Sequence, residues 1–412
     1  MKEAVAASDV ALPSEGARRA FLALFDHALD DATLEVVEAG ASWTVGRVGP
    51  SRRRLPDAAT LLVQRPRFYA RVLSLANLGL AEAYMDEDFE VPGGALPDLL
   101  TILVRARVDQ KVRGDWRLAL RVLGIRVANR LAGPWRNVER HFDAGDELIE
   151  SFLDPTLSYT CGYARSADDD LATLQRQKLE RICAKLALRS GERLLDVGCG
   201  YGGLLIHAAL HHGVSGVGVT NSRRHFERAR ARVAEAGLEG RVEIRLADHR
   251  ELRGRFEKVV SVGMLEHMPR SEHGRYFARV REVLAPGGLG LAHFIGCGVA
   301  SNEHDPFIQK YIFPGSCQLK LSEVSDHLER NELAILDVEN MVRHYGLTCE
   351  RWLEGLRRAR TALDPLRFDA RFQRMYEYYL SLCVAAARAS DGALYQVLYG
   401  NDFAAERPLA RV

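Results

Sequence analysis

Between Leu194 and Gly203 the chain reads Leu-Leu-Asp-Val-Gly-Cys-Gly-Tyr-Gly-Gly, an apolar strand meeting an acid and then a glycine-dense turn ahead of a helical pattern. Few segments restrict a fold so tightly. A sharp turn with positive φ that lets a ligand press against peptide groups has no room for Cβ atoms, so it selects glycine. Gly198, Gly200 and Gly203 fit the G-x-G-x-x-G spacing of nucleotide-cofactor loops, which join a strand to a helix in a parallel α/β sheet.

The neighbouring sequence supplies the rest of such a sheet. From about Asp168 into the mid-300s, short β-branched runs alternate with helical patterns. Strands are predicted at Arg193–Val197, Gly216–Val219, Val242–Leu246, Lys258–Ser261 and Gly288–His293, with helices at Leu174–Leu186, Leu204–His212, Ser222–Ala236 and Arg275–Leu284. The expected class is a Rossmann-like, doubly wound α/β sheet, whose ligands bind beyond the carboxyl ends of the strands. Upstream, residues 15 to 38 read as a helix followed by a strand-like stretch. Gly49 to Arg54 is a polar turn, and Pro66–Leu80 is helical. A smaller, mainly helical amino-terminal domain is therefore expected. Gly133-Pro134 is the best boundary, since this step breaks a helix, and it divides the chain into 1–134 and 135–412.

A chain of 412 residues with 47% hydrophobic content can bury two cores. Lys plus Arg (56) nearly cancels Asp plus Glu (55), so bulk charge suggests no nucleic-acid partner. The distribution is less even. Ten Lys or Arg face three acids between Thr101 and Arg140, interleaved with Leu, Val and Ile at helical spacing. That pattern suits either a solvated helix face or a surface meeting anionic phospholipid. Seven scattered cysteines without a C-x-x-C pair suggest neither a disulfide framework nor a zinc site. His207 and His211 lack the glutamate of an H-E-x-x-H motif and read as surface or packing histidines, so no metal is expected. Met1–Ala20 has no signal-peptide core and no apolar run reaches membrane-spanning length, which together predict a cytoplasmic protein.

Three further positions bear on the cofactor. Thr220 closes the second predicted strand where nucleotide folds commonly place an acid for the ribose hydroxyls. After the third come Asp248, a carboxylate able to accept from an adenine amino group, and His249, a ring able to stack. A helix N-cap is the alternative reading of Asp248. Asp196, just before the first glycine, resembles the acid of S-adenosylmethionine-dependent methyltransferases and not the loops of oxidoreductases.

With these residues in view, the chain resembles the cyclopropane fatty-acyl-phospholipid synthases and mycolic acid cyclopropane synthases, which have the class I methyltransferase fold. The likeness runs from about Arg65 to Gly400. It includes Gly79-Leu80-Ala81-Glu82-Ala83-Tyr84-Met85-Asp86, His141-Phe142-Asp143, Ser158-Tyr159-Thr160-Cys161-Gly162-Tyr163, the glycine loop and Val217-Gly218-Val219-Thr220. Ser261 to His267, His293-Phe294-Ile295-Gly296, Lys310 to Gly315, His344-Tyr345 and Tyr378-Tyr379-Leu380 continue it.

The resemblance implies methylene transfer from S-adenosylmethionine onto the double bond of an unsaturated phospholipid acyl chain. An alkene is a poor nucleophile, so the sulfonium methyl must be held close and in line with water excluded. Ring closure then requires a base in a largely apolar pocket. By resemblance that base is bicarbonate, held by the backbone N–H groups of Cys161 and Ile295 and the side chains of Glu266, His293 and Tyr345. The cofactor falls to Tyr159, Thr160, Asp196, Gly198, Gly200, Thr220, Asp248 and His249. Each residue also has a plainer reading: Cys161 as core, Glu266 as a cap, His293 as a satisfied strand histidine, Tyr345 as a core edge.

Several positions depart from the family pattern. Tyr201 stands for a Trp, Ala164 for an aromatic, His225 for a Gln and His249 for a Tyr or Trp, while His141 to Asp146 varies a common motif. Relatives on this scaffold also stop at methyl or methylene branches, so a branched product is the alternative, and a noncatalytic lipid-binding module is a third reading. The amino-terminal domain would touch the inner face of the membrane peripherally or mediate homodimerisation.

Overall fold

The computed structural model describes residues 14–49, 55–108, 111, 146–297, 305–389 and 392–402. Most of the basic Thr101–Arg140 stretch, the Gly133-Pro134 boundary, most of the Gly49–Arg54 turn and the His141-Phe142-Asp143 motif lie outside these residues. The chain forms two compact units. One comprises Met1–Asp143 with Asp305–Ile312 and Arg360–Ala389, and the other Ala144–His304 with Phe313–Ala359 and Ser390–Val412.

The first unit contains helices and also a four-stranded sheet. Strands β1 (Ala32–Glu38), β2 (Ala41–Arg47), β3 (Ala58–Val63) and β4 (Phe89–Glu90) lie in the order β2-β1-β3-β4. Helix α1 (Ser14–Ala28) buries Ala17, Phe21, Leu24 and Phe25, a spacing of three to four residues that gives one apolar face. Phe21 meets Phe68 and Tyr69 of α2 (Arg67–Met85), and Phe68 meets Phe89.

Two late segments, Asp305–Ile312 and Arg360–Ala389, join this unit. Charge explains their place. Glu82 on α2 is buried and receives Lys310 Nζ at 3.0 Å and Tyr311 Oη at 2.8 Å. Arg371 reaches Asp86 at 2.7 Å, and Arg374 reaches Glu90 at 2.9 Å. A buried carboxylate is tolerated only when paired, so these late cations are obligatory partners of early acids.

The second unit is built on a seven-stranded sheet. Its strands are β5 (Arg193–Val197), β6 (Ser215–Thr220), β7 (Val242–Leu246), β8 (Phe256–Val262), β9 (Leu284–Cys297), β10 (Ala334–Asn340) and β11 (Gly392–Gly400), in the order β10-β11-β9-β8-β5-β6-β7. The five strands predicted from sequence are the parallel ones, and β11 inserts antiparallel between β9 and β10. After α3 (Leu96–Ala106) of the first unit and α4 (Asp146–Phe152), helices α5 (Leu171–Lys185), α6 (Gly203–His212) and α7 (Arg223–Glu235) cover one face of the sheet, burying Leu179, Ile182, Leu205 and Ala229. Against the other face α8 (Arg270–Val283) and α9 (Leu321–Arg330) bury Tyr276, Phe277, Val280, Val324 and Leu328. Phe277 is fully buried, and its removal would cost about 3–5 kcal/mol.

Strand order reverses between β5 and β8. The chain leaves β5 for β6 and β7, then returns to β8 on the other side, which opens a crevice at the carboxyl end of β5. Among the described residues, no helix is long and apolar enough to cross a membrane.

Candidate functional site

The crevice is a partly open cleft at the carboxyl end of β5, the place where such sheets bind their ligands. Tyr159, Thr160, Asp196, Gly198, Gly200 and Tyr201 line it. The turn that shapes it has Gly198 at φ +82° and Gly200 at φ +51°. A Cβ on Gly198 would lie 2.6 Å from the Met264 side chain, whereas one on Gly200 would meet nothing within 4 Å. Gly198 therefore secures close packing. Gly200 leaves bare backbone toward the cleft, where a ligand can approach the turn ahead of α6.

Two buried, oppositely charged groups stand in this cleft. Asp196 lies near the end of β5 with 3% of its surface exposed, and its Oδ1 has no hydrogen-bond partner among the described residues. Burial pushes its carboxyl up to about 7, against the pull of Lys178. Lys178 on α5 is equally buried and donates to Thr160 Oγ1 at 3.2 Å. Burial pushes its ammonium down to about 8, with Asp154, Cys161 and Asp196 opposing. Among the described residues no carboxylate lies within ion-pair distance of it. Buried groups normally find partners, so an acid and a base left open in one cleft point to a ligand bearing both charges.

The wall opposite the glycine turn is locked backbone. Asp154 accepts from Thr156 N at 2.9 Å and Ser158 N at 3.2 Å, and Gln175 Nε2 donates to Thr160 O at 2.8 Å. Arg232 ties this segment to the turn by donating to Thr156 O at 2.8 Å and Tyr201 O at 2.9 Å. Gly162 N donates to Thr348 Oγ1 at 3.0 Å, which sets the course of Cys161.

A second constellation begins where β8 ends. Val262 lines the cleft, and a Cβ on Gly263 would lie 2.6 Å from Thr160 Cγ2 and 4.0 Å from Glu266 Oε1. Thr160 and Glu266 thus flank one glycine. Glu266 is buried in a short 3-10 turn, accepts from Ile295 N at 3.1 Å through Oε1, and leaves Oε2 without a partner among the described residues. Burial pushes its carboxyl up to about 7, although hydrogen bonds from its own backbone and from Ile295 act the other way. The Ile295 N–H expected to face an oxyanion is here engaged by Glu266.

His293 lies two residues before Ile295 on β9. The Gln396 side-chain amide donates to its Nδ1 at 3.1 Å, which assigns the ring proton to Nε2, a buried atom with no partner among the described residues. Burial pushes this imidazole down to about 3, and Lys178 and Lys185 add to the effect, so the ring is neutral. Cys161 packs in one apolar cluster with Met341, Leu394, Ile295 and Tyr345, and burial raises its thiol far above the ordinary range. Its side chain is therefore inert core.

The fold brings Tyr159, Thr160, Asp196, Gly198 and Gly200 into the cleft, and gathers Cys161, Glu266, Ile295 and Tyr345 nearby. The remaining cofactor candidates sit on the adjacent strand ends. Thr220 is buried at the end of β6, where its Oγ1 accepts from Ser222 N at 3.2 Å. Ala247 N, just after β7, donates to Thr220 O at 3.0 Å. Asp248 caps the next turn, and its carboxylate accepts from Arg250 N at 2.9 Å and Arg250 Nε at 2.7 Å. The N-cap role weighed for Asp248 is thus filled, while His249 keeps a buried, partnerless Nε2.

Lys178, Asp154, Arg232 and Trp352 were not singled out from the sequence. For Lys178 a signal was present: Leu174, Lys178 and Ile182 recur every four residues, which sets a lysine in an apolar helical stripe. Trp352 is buried 5.0 Å from the Tyr159 ring and 6.4 Å from that of Tyr345, a wall shared by both constellations. Nothing local in the sequence marks it.

The donor set fits a zwitterionic, nucleoside-bearing ligand: an open carboxylate, an open ammonium, bare glycine backbone and strand-end polar groups. The profile of the mycolic acid cyclopropane synthetase family matches residues 130–397. The chain is 36% identical over 345 residues to the cyclopropane-fatty-acyl-phospholipid synthase of Escherichia coli, covering 83% of this chain and 88% of that one. It is 32% identical over 361 residues to a tuberculostearic acid methyltransferase of Mycobacterium tuberculosis, covering 83% of each. A crystallised mycolic acid cyclopropane synthase complexed with SAH and CTAB superposes with a TM-score of 0.56 at 25% identity, covering 63% of this chain and 95% of that one.

Proposed function

The chain belongs to the mycolic acid cyclopropane synthetase family of S-adenosylmethionine-dependent enzymes, and from that premise we propose how its residues divide the work of converting an unsaturated phospholipid acyl chain into a cyclopropane acid. S-Adenosylmethionine supplies an electrophilic sulfonium methyl. Asp196 would face the cationic part of the donor and Lys178, steadied by Thr160, its carboxylate. Gly198 and Gly200 would pass beneath it, with Thr220 and His249 toward the nucleoside. These contacts hold the methyl in place, which an unactivated double bond requires.

The observation that carries the reading is a pair of buried polar atoms without partners among the described residues: Oε2 of Glu266, whose Oε1 is held by Ile295 N, and Nε2 of the neutral His293, two residues before Ile295 on β9. After methyl transfer the acyl chain bears a carbocation, and closing the ring removes a proton from the added methyl. Bicarbonate supplies an oxyanion able to accept that proton. Glu266 Oε2, when protonated, and His293 Nε2–H offer two donors to such an anion, with Tyr345 and the Cys161 backbone completing its surroundings. The apolar packing of Met341, Leu394 and Trp352 excludes water from the cation.

Purified protein, S-adenosylmethionine and monounsaturated phosphatidylglycerol vesicles test this directly. Proton NMR of the extracted lipid should show upfield cyclopropyl signals. Vinylidene or methyl-branch signals in their place would overturn ring formation. The branched product is kept as a second reading because the chain resembles a tuberculostearic acid methyltransferase and carries Ala164 where an aromatic is usual. Absence of any methyl transfer would leave the lipid-binding reading.

The amino-terminal unit, read as residues 1–134, would grip the inner face of the membrane peripherally or pair two copies of the chain. The basic composition of Thr101–Arg140 supports the membrane role.

A further inference from the structure

On α5 and α6, apart from the residues given catalytic or donor-binding roles above, four metal-ligating side chains converge. Glu180 and Cys183 lie three residues apart on α5, and His207 and His212 come from α6. The Nε2 atoms of both histidines stand 3.2 Å from Glu180 Oε2. The Cys183 thiol and a ring nitrogen of each histidine lie within 4.8 Å of one another. Sequence spacing alone suggested packing histidines and paired His207 with His211. The helix instead turns His212 and His207 toward one carboxylate.

We propose that Glu180, Cys183, His207 and His212 form a binding site for one divalent transition-metal ion of the zinc class. Tetrahedral zinc with bonds of about 2.0–2.3 Å sets its ligand atoms about 3.3–3.8 Å apart. The carboxylate-to-imidazole separations already match. Drawing in the sulfur and the second nitrogen takes about one ångström of side-chain rotation. One thiol, two imidazoles and one carboxylate suit a borderline ion and disfavour Mg2+ or Ca2+, which take oxygen cages.

The electrostatics are consistent with this geometry. Burial holds the His207 imidazole below its usual range, so the ring is neutral and free to ligate. Burial also pushes the Cys183 thiol up to about 12, so a thiolate forms there only with a cation beside it. Coordination releases that proton to solvent. The ion would clamp α5 to α6, the two helices that contribute Leu179, Ile182 and Leu204 to the donor cleft. It stabilises the catalytic unit without entering the chemistry.

The test uses full-length protein stripped with a chelator and titrated with Zn2+ by calorimetry and Co2+ by absorbance. One tight equivalent is expected, with a thiolate-to-cobalt charge-transfer band and a Tm that rises with Zn2+ concentration. Cys183→Ser should abolish the band. Because Cys183 is fully buried, His212→Gln provides the companion variant at the more exposed end of α6 and should weaken Zn2+ binding about 100-fold with circular dichroism unchanged. Wild-type protein that binds no equivalent, or His212→Gln protein that binds like wild type, overturns the site. Methyl transfer is not a readout here, so the result stands apart from the proposed reaction.

Discussion

Asp196→Asn should stabilise the ligand-free protein while removing its hold on the donor. The wild-type carboxyl sits near 7 in the fold against 3.8 in its ordinary state, because burial disfavours the charged form. An acid whose folded pKa is raised takes stability away as pH rises through the window between the two values. At about 1.4 kcal/mol per unit, the deficit is near zero below pH 3.8, about 2 kcal/mol at pH 5 and about 4 kcal/mol at pH 8. Asparagine does not titrate, so any effect of its amide on packing is the same at both pH values and cancels in the difference. Equilibrium denaturation of both proteins at pH 5 and pH 8 should therefore show the variant gaining between about 2 and 3 kcal/mol more at the higher pH. Calorimetry with S-adenosylmethionine should show about 10- to 100-fold weaker binding, the loss expected for a hydrogen bond to a charged group. An equal stability difference at the two pH values would refute the claim that this carboxylate is buried without a partner.

The other buried groups give further expectations. Glu266→Gln should lower turnover by roughly one to three orders of magnitude with donor affinity nearly unchanged, measured with labelled donor and vesicles. With Asp196 needed ionised and Glu266 needed protonated, and both near 7, log kcat/KM should rise with a slope of one on the acid side and fall with a slope of one on the alkaline side, and Glu266→Gln should remove the alkaline fall. Lys178→Met should raise the donor Kd about 10- to 100-fold. Its ammonium is depressed from 10.5 to about 8, so below that pH the variant should also gain up to about 3 kcal/mol of apo stability. A merely structural lysine would move both readouts down together. For the amino-terminal unit, flotation with anionic vesicles should weaken between low and high salt as ions screen the basic surface, and unchanged flotation would remove the electrostatic role.

The parallel half of the catalytic sheet was legible because its strands are short β-branched or apolar runs between helical patterns, and the central β5 buries Leu194, Leu195 and Val197 on both faces. The antiparallel pair escaped notice for a physical reason. β10 is half-buried along most of its length, and its Asp337 and Glu339 serve Lys185 while Glu339 also meets Arg181, so its pattern reads as polar surface. The late segments of the first unit were hidden in another way. Their place depends on Glu82, Asp86 and Glu90 finding cations some 230 to 290 positions away, and no local periodicity encodes that. At the site, glycines and the acid before them were legible because the turn demands those residue types. Lys178 was legible in principle as a misplaced charge in an apolar stripe. Trp352 was not, because a buried tryptophan on a helix is ordinary core until the fold sets it between two tyrosines.

One electrostatic pattern is shared by the cleft and the residues around Glu266. Asp196, Lys178, Glu266 and His293 are each desolvated and left without a full set of partners among the described residues, an arrangement that opposes folding in the ligand-free state. If these groups served stability alone, they would be expected to pair with one another, as Arg181 and Lys185 do with Glu339. Lys178 instead makes its one hydrogen bond to a threonine hydroxyl, and Asp196 makes none within the described residues. On the proposed reading their complements arrive with ligands: a cation for Asp196, a carboxylate for Lys178 and a small oxyanion for Glu266 and His293. A zwitterionic sulfonium donor and a separate anionic base meet all three demands together, whereas a dinucleotide would bring pyrophosphate against Asp196. The same acid that unsettles the empty protein therefore discriminates between the two cofactor classes that a glycine-rich turn can serve.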